Sequence, residues 1–68
     1  MEPLTNKKPG IYLVVDVPKK CRKLHELGIM PGSKIMLISC YDRGPVIVRV
    51  NNTQMALGRG IASSIMVK

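Results

Sequence analysis

Two side chains with metal-binding chemistry lie four residues apart, at Cys21 and His25. Residues at positions i and i+4 share one side of a helix, and a thiolate with an imidazole can bind a soft or borderline divalent metal. Glu26 and Cys40 are candidate additional ligands. Zinc sites need four protein ligands, or three and a water molecule. The pair is therefore a weak metal candidate, and the simpler interpretation is a packed thiol beside a solvated imidazole.

Catalytic motifs are missing from the sequence. The chain has one His and four carboxylates, with no Gly-x-Ser-x-Gly elbow and no phosphate-binding glycine-rich loop. A chain of this length buries only about 60% of its unfolded surface, so a substrate pocket of ~300 Å³ would remove much of the core. We therefore predict a protein that is not an enzyme and requires no cofactor.

The densest charge feature is a run of four cations, named here the basic segment: Lys19, Lys20, Arg22 and Lys23. Eleven Lys and Arg against four Asp and Glu give a net charge of +7, which suits nucleic acid, an anionic membrane surface or an acidic protein. Nucleic acid is not expected, because Tyr12 and Tyr41 are the only aromatic residues and no long recognition helix is indicated. A merely solvated helix face is the alternative for the basic segment.

A short helix over residues 19–27 is predicted to carry these side chains. Cys21, Leu24 and Leu27 recur every three residues, which places them on one apolar side. The cations then fall mostly on the side that faces water.

The segment after this helix has strong turn chemistry. Gly28 suits a left-handed residue at the helix end, with Ile29 folding back onto the last turn. Pro31-Gly32 favours a type II turn. Gly28, Pro31 and Gly32 are therefore interpreted as structural residues of the turn.

The remaining apolar runs predict strands. Five short candidates are separated by turn residues: 10–17, 34–41, 46–50, 54–57 and 65–67. In the first, alternation places four aliphatic residues on one face: Ile11, Leu13, Val15 and Val17. Residues 61–64 could form one helical turn. We predict a mainly β fold, a small SH3-like barrel of about five strands with one short helix after the first strand. An OB-fold fits less well, because it is usually longer and has its helix later.

Residues 24–35, LHELGIMPGSKI, resemble the core motif R-L-x-E-L-G-[LIM]-x-P-G-x-x-[VI] of the FeoA family. The likeness continues through GPVIV at 44–48, MALGR at 55–59, and Ala62 with IMV at 65–67. It divides the chain into a lead-in segment, 1–9, and an SH3-like FeoA domain, 10–68. Lys23 stands where the family often has Arg, and neither Cys21 nor His25 belongs to the motif.

The resemblance implies a non-catalytic accessory protein of ferrous iron transport. FeoA proteins are small cytoplasmic partners of FeoB, a membrane transporter whose cytoplasmic part binds and hydrolyses GTP. The same fold occurs in the C-terminal domain of DtxR-type metal-dependent repressors, so a metal-linked regulatory module is the alternative. A nucleic-acid-binding small barrel is the third interpretation. Weak Fe²⁺ or Zn²⁺ binding through Cys21 and His25 is allowed.

A docking surface for that partner is predicted around the helix: Lys19, Lys20, Lys23, Ile29 and Met30. The cations lie opposite the apolar side of the helix, and Ile29 and Met30 are expected at an exposed loop tip. A basic rim beside an adaptable methionine suits protein association.

The chain itself is not expected to span a membrane. No apolar run approaches the ~18 residues that a span needs, and residues 1–8 lack the apolar core of a secretory signal. These features predict a cytoplasmic domain.

Overall fold

The computed structural model describes residues 1–68 and contains a six-stranded antiparallel sheet. The strands are β1 Glu2–Pro3, β2 Gly10–Asp16, β3 Lys34–Ser39, β4 Val46–Val50, β5 Thr53–Leu57 and β6 Met66–Val67. A 3₁₀ turn covers Leu4–Asn6, and the helices are α1 Arg22–Glu26 and α2 Arg59–Ser64. The sheet order is β1-β6-β2-β3-β4-β5. The predicted mainly β fold is confirmed, with six strands instead of about five, and the helical turn expected at residues 61–64 forms part of α2.

Alternation in the central strands builds the core. The inward residues of β3 are Ile35 and Leu37, and those of β4 are Val46, Val48 and Val50; all are at most 2% exposed. They belong to a cluster of 14 buried aliphatic residues, and no polar or charged residue is buried. The core therefore needs no side-chain hydrogen bonds, and the polar groups within it are those of the backbone, which pair in the sheet and helices.

The apolar run of β2 is split between the core and the solvent. Val14 is buried, whereas Ile11 is 64% exposed and Leu13 is also exposed. The pairing of β2 with β6 shifts register between Val14 and Asp16, and such a bulge reverses the alternation beyond it. Val17 is consequently buried. The prediction that one face runs from Ile11 to Val17 is wrong, because the bulge inserts an extra residue.

The lead-in segment contributes to the sheet and the core. Glu2 pairs with Val67 across β1 and β6, and the N–H of Leu4 donates to the carbonyl of Ile65 at 2.8 Å. The side chain of Leu4 is fully buried. The predicted boundary at residue 10 therefore lies inside a continuous packed unit.

One ion pair lies within the lead-in segment. The ammonium of Lys7 lies 2.7 Å from a carboxylate oxygen of Glu2. Hydrogen bonding to Lys7 and its positive charge hold the pKa of Glu2 below its usual value, and the same hydrogen bond raises the pKa of Lys7. The Lys7 side chain is 26% exposed and that of Glu2 is 55% exposed, so water still screens the pair and its effect on folding stability is small.

The hairpin between β4 and β5 turns at two asparagines. Asn51 and Asn52 have φ values of 51° and 64°, and they connect the paired residues Val50 and Thr53. Two consecutive left-handed residues make the type I′ turn that matches the twist of a two-residue hairpin. Asparagine tolerates this conformation better than most residues with a β-carbon.

Candidate partner-docking surface

The basic segment enters α1 through a turn. The N–H of Cys21 donates to the carbonyl of Pro18 at 3.1 Å, and Cys21 is the N-cap, with non-helical backbone angles. The helix therefore begins at Arg22, three residues later than the sequence suggested. The expectation of a helix over 19–27 is too long, because a turn at Pro18–Cys21 precedes the first helical residue. Lys19 and Lys20 lie in that turn.

The four cations of the basic segment are exposed and unpaired. Each of them is exposed to solvent, and the Glu2–Lys7 pair is the one ion pair in the structure. Glu26 is one helical turn away from Arg22 but makes no salt bridge with it. Uncompensated cations on a short element create a local positive potential that attracts an acidic partner.

The exit from α1 is a Schellman motif. The N–H of Ile29 donates to the carbonyl of Leu24 at 2.8 Å, and that of Gly28 donates to the carbonyl of His25 at 3.0 Å. Gly28 has a φ of 89°, the left-handed geometry that this motif requires. A β-carbon on Gly28 would lie 2.5 Å from Nδ2 of Asn51. Glycine therefore serves both the backbone conformation and the close approach of the β4–β5 turn.

Ile29 belongs to the core and not to the surface. The motif folds it back onto Leu24, and both side chains are at most 1% exposed. The hydrophobic contact between these two positions accompanies many Schellman motifs. The expectation that Ile29 is an exposed docking residue is wrong, because the hydrogen bond to Leu24 directs its side chain inward.

Met30 stands at the tip of the next turn. The N–H of Ser33 donates to the carbonyl of Met30 at 3.0 Å, and Gly32 has a φ of 94°, as a type II turn requires. The hydroxyl of Ser33 donates to the same carbonyl at 2.6 Å. The side chain of Met30 is 41% exposed. It is an apolar tip on a backbone held by local hydrogen bonds.

The candidate metal ligands do not gather into a cluster. No group of three or more His, Cys, Asp or Glu side chains is positioned to hold a metal ion. Cys21 is half-buried against the core and His25 is exposed. Cys40 packs elsewhere, with its thiol 3.8 Å from the carbonyl of Thr5. Both cysteines are free thiols.

A second exposed surface was not predicted from the sequence. Register places six side chains on the side of β2, β3 and β4 that faces away from the core, named here the outer sheet face: Ile11, Leu13, Lys34, Met36, Ile38 and Arg49. Ile11 lies directly opposite Met36, and Met36 lies opposite Arg49. The signal was present in the alternation of β3 and β4, where Met36 and Arg49 fall between buried residues.

Neither α1 nor α2 has the length or the apolar character of a membrane-crossing helix.

Several known proteins are similar to this chain in sequence and in architecture. The family model for the FeoA domain matches residues 3–68. A protein of Methanocaldococcus jannaschii named "Putative Fe(2+) transport protein A" is 36% identical over 72 aligned positions, which span 100% of this chain and 87% of that protein. The crystal structure of an iron uptake regulatory protein, FeoA, is 32% identical with a TM-score of 0.88, covering 98% of this chain and 93% of that one.

The architecture also occurs within a larger regulator. The structure of the manganese regulator SloR matches 100% of this chain with a TM-score of 0.80, although the match spans 34% of SloR and the identity is 18%. At that identity the likeness shows the fold alone. The SH3-like architecture is therefore found both in stand-alone proteins of this size and as part of a longer chain.

Proposed function

The chain belongs to the FeoA family, and on that premise we propose that it is a non-catalytic accessory protein of ferrous iron uptake. It acts in the cytoplasm by binding the cytoplasmic part of the FeoB transporter. The observation that carries this proposal is its 36% identity, over its full length, to a protein named for Fe²⁺ transport.

The docking surface is the basic segment together with Met30. The cations are exposed and have no carboxylate partner within the chain, so an acidic partner surface gains their attraction without breaking an internal ion pair. Charges at a rim mainly raise the association rate. Met30 can adapt to an apolar recess of the partner, and its burial in the complex slows dissociation.

Binding kinetics with the isolated cytoplasmic domain of FeoB test this surface. Lys20→Glu/Lys23→Glu lowers the net charge from +7 to +3, since each reversal subtracts two charges. We expect it to reduce the association rate about tenfold or more at low salt, with the loss fading above 0.1 M salt, where the screening length is ~10 Å. The matched control Lys8→Glu/Arg43→Glu has the same net charge but changes cations outside the surface.

The apolar tip is tested with a matched pair of aspartates. Met30→Asp should speed dissociation, whereas Ile61→Asp on α2, at 42% exposure against 41% for Met30, should not. If both surface variants bind as the parent does, docking lies elsewhere on the chain. Failure of the parent itself to bind the domain would overturn the proposed function.

The alternative function is a metal-linked regulatory module that acts on a DNA-binding protein. The fold shared with part of SloR favours it. The two proposals differ in their expected partner: a reading frame for FeoB beside this gene supports the first, and a repressor lacking its own SH3-like domain supports the second. A binding assay with each partner then separates them directly.

Metal binding by the isolated monomer is proposed to be weak. Cys21 and His25 supply two ligands of different burial, and no third His, Cys, Asp or Glu joins them. Calorimetric titration with Fe²⁺ or Zn²⁺ should therefore show no tight stoichiometric site. A sub-micromolar site that disappears in Cys21→Ser/His25→Ala would contradict this.

A further inference from the structure

We propose that the outer sheet face binds an acidic, aliphatic peptide segment of a partner protein. This inference goes beyond the proposed function and does not depend on it, because it concerns a different surface and a ligand defined only by its chemistry.

The outer sheet face is apolar where a strand would ordinarily be polar. Ile11 is 64% exposed, and Leu13, Met36 and Ile38 are 36–37% exposed. Four of the eight large hydrophobic residues that are exposed in the chain lie here. A contiguous exposed apolar patch on a small domain indicates an interaction site.

An open cleft of about 470 Å³ lies within this face. Ile11 and Met36 provide its apolar floor, Lys34 and Arg49 provide its charge, and Asn51 and Asn52 from the β4–β5 turn provide polar groups. This volume lies in the range of ~300–1,000 Å³ in which proteins hold small ligands and side chains.

The charge of the cleft selects an anionic ligand. Lys34 and Arg49 make no ion pair, and none of the four carboxylates of the chain lines the cleft. An arginine can hold a carboxylate through two parallel hydrogen bonds. An aliphatic side chain between Ile11 and Met36, with an acidic residue beside it in the ligand, therefore satisfies both parts of the cleft.

The shape of this face favours a peptide over a membrane or nucleic acid. Ile11 and Met36 lie in an open cleft together with Lys34 and Arg49, so side chains of one extended segment can reach both the apolar and the cationic groups. Neither tyrosine lines the cleft, and stacking on aromatic rings supports much of the binding of single-stranded nucleic acid.

Selection from a displayed random dodecapeptide library tests the proposal without assuming a partner. The immobilised full chain should enrich peptides in which Asp or Glu lies beside Leu, Ile or Val. Those peptides, made synthetically, should bind Arg49→Glu at least about tenfold more weakly than the parent and should bind the matched control Arg43→Glu normally. No enrichment, or a consensus without an acidic residue, would overturn the proposal.

The position of the ligand is tested on the unmodified protein, which removes any question of variant folding. In ¹⁵N-resolved NMR titrations, the selected peptide should shift the backbone amides of Ile11, Met36 and Arg49. Shifts confined to the basic segment, or to Gln54 and Ala56 on the edge strand β5, would overturn the assignment. So would binding to phosphatidylserine vesicles that Arg49→Glu abolishes, since that result assigns this face to a membrane surface.

Discussion

The exit from α1 and the outer sheet face carry similar aliphatic side chains but expose them to opposite degrees. In the exit, a left-handed glycine and two backbone hydrogen bonds bury Ile29 completely against Leu24. On the outer sheet face, Ile11 lies in a regular strand and is 64% exposed. Ile29 and Ile11 are equally hydrophobic, so the difference in their burial comes from the local backbone geometry and the strand register.

The two regions are also expected to differ in what their side chains affect, folding stability or binding. The exit joins the helix to the core and to the β4–β5 turn through Gly28 and Asn51. The outer sheet face has its side chains free for a partner. Changes in the exit should lower folding stability, and changes on the outer sheet face should alter binding while the fold persists.

The largest effect on folding stability is expected in the exit loop, where the buried Ile29 is followed directly by the exposed Met30. Ile29→Ala removes a fully buried side chain and should lower the free energy of unfolding by about 2–5 kcal/mol. Met30→Ala, one residue later, should change it by less than about 0.5 kcal/mol. Urea unfolding followed by circular dichroism measures both free energies of unfolding. Equal losses of stability in the two variants would contradict the assignment of Ile29 to the core and Met30 to the surface.

A second pair of variants compares the two faces of β2. Val14→Thr places a hydroxyl in the core and should cost about 1–3 kcal/mol. Ile11→Thr keeps a β-branched residue on the solvent side and should change stability by less than about 0.5 kcal/mol. Thermal unfolding distinguishes them readily, because about 1 kcal/mol moves Tm by ~4–8 °C in a domain of this size. A greater loss at Ile11 than at Val14 would mean that the assignment of faces is reversed.

A valine series examines the glycines of the exit. Gly28→Val should destabilise by about 1–2 kcal/mol or more, because a residue with a β-carbon is strained at positive φ and would also contact Asn51. Gly32→Val is the matched control, with a φ of 94° and no atom within 4 Å of the added carbon. The additional loss of stability at Gly28 measures the cost of the contact with Asn51. A smaller loss at Gly28 than at Gly32 would show that the β4–β5 turn moves away from the added side chain at no cost.

The smallest effect is expected at the exposed ion pair of the lead-in segment. The folded pKa of Glu2 lies below its ordinary value of 4.5, so its contribution to stability is present above that pH and disappears as the pH falls through the folded pKa. The parent should therefore be slightly more stable than Glu2→Gln at neutral pH, and the difference should disappear in acid and in high salt. Glu26→Gln, which removes an unpaired carboxylate, should show no such pH dependence.

Local chemistry made the exit from α1 predictable but did not make the two faces of β2 predictable. Gly28 with Ile29, and Pro31 with Gly32, each define a turn through a few neighbouring residues, and the observed hydrogen bonds are those that such turns make. The bulge in β2 depends on pairing with β6, whose paired residues lie 50 and 53 positions further along the sequence. Alternation within one strand could not reveal it, because the hydrophobic pattern of β2 is apolar on both sides.

The candidate surfaces were predictable to different extents for the same reason. The exposure of the basic segment follows from its charges alone, and Met30 follows from the turn that carries it. Ile29 was expected both to fold back onto the last turn of the helix and to lie at an exposed loop tip. These two expectations conflict, because folding back buries the side chain against Leu24. The cleft that includes Ile11 and Arg49 can be located only when the pairing register of β2, β3 and β4 is known. No single segment of the sequence specifies that register.

The most direct test of the account is calorimetric titration of the unmodified protein with the isolated cytoplasmic domain of FeoB. We expect saturable binding with an affinity that falls as salt rises from 0.05 M to 0.5 M, because exposed cations without internal partners contribute to the contact. No binding to that domain at any salt concentration would contradict this expectation, and binding of the chain to DNA at physiological salt would favour the nucleic-acid-binding interpretation instead.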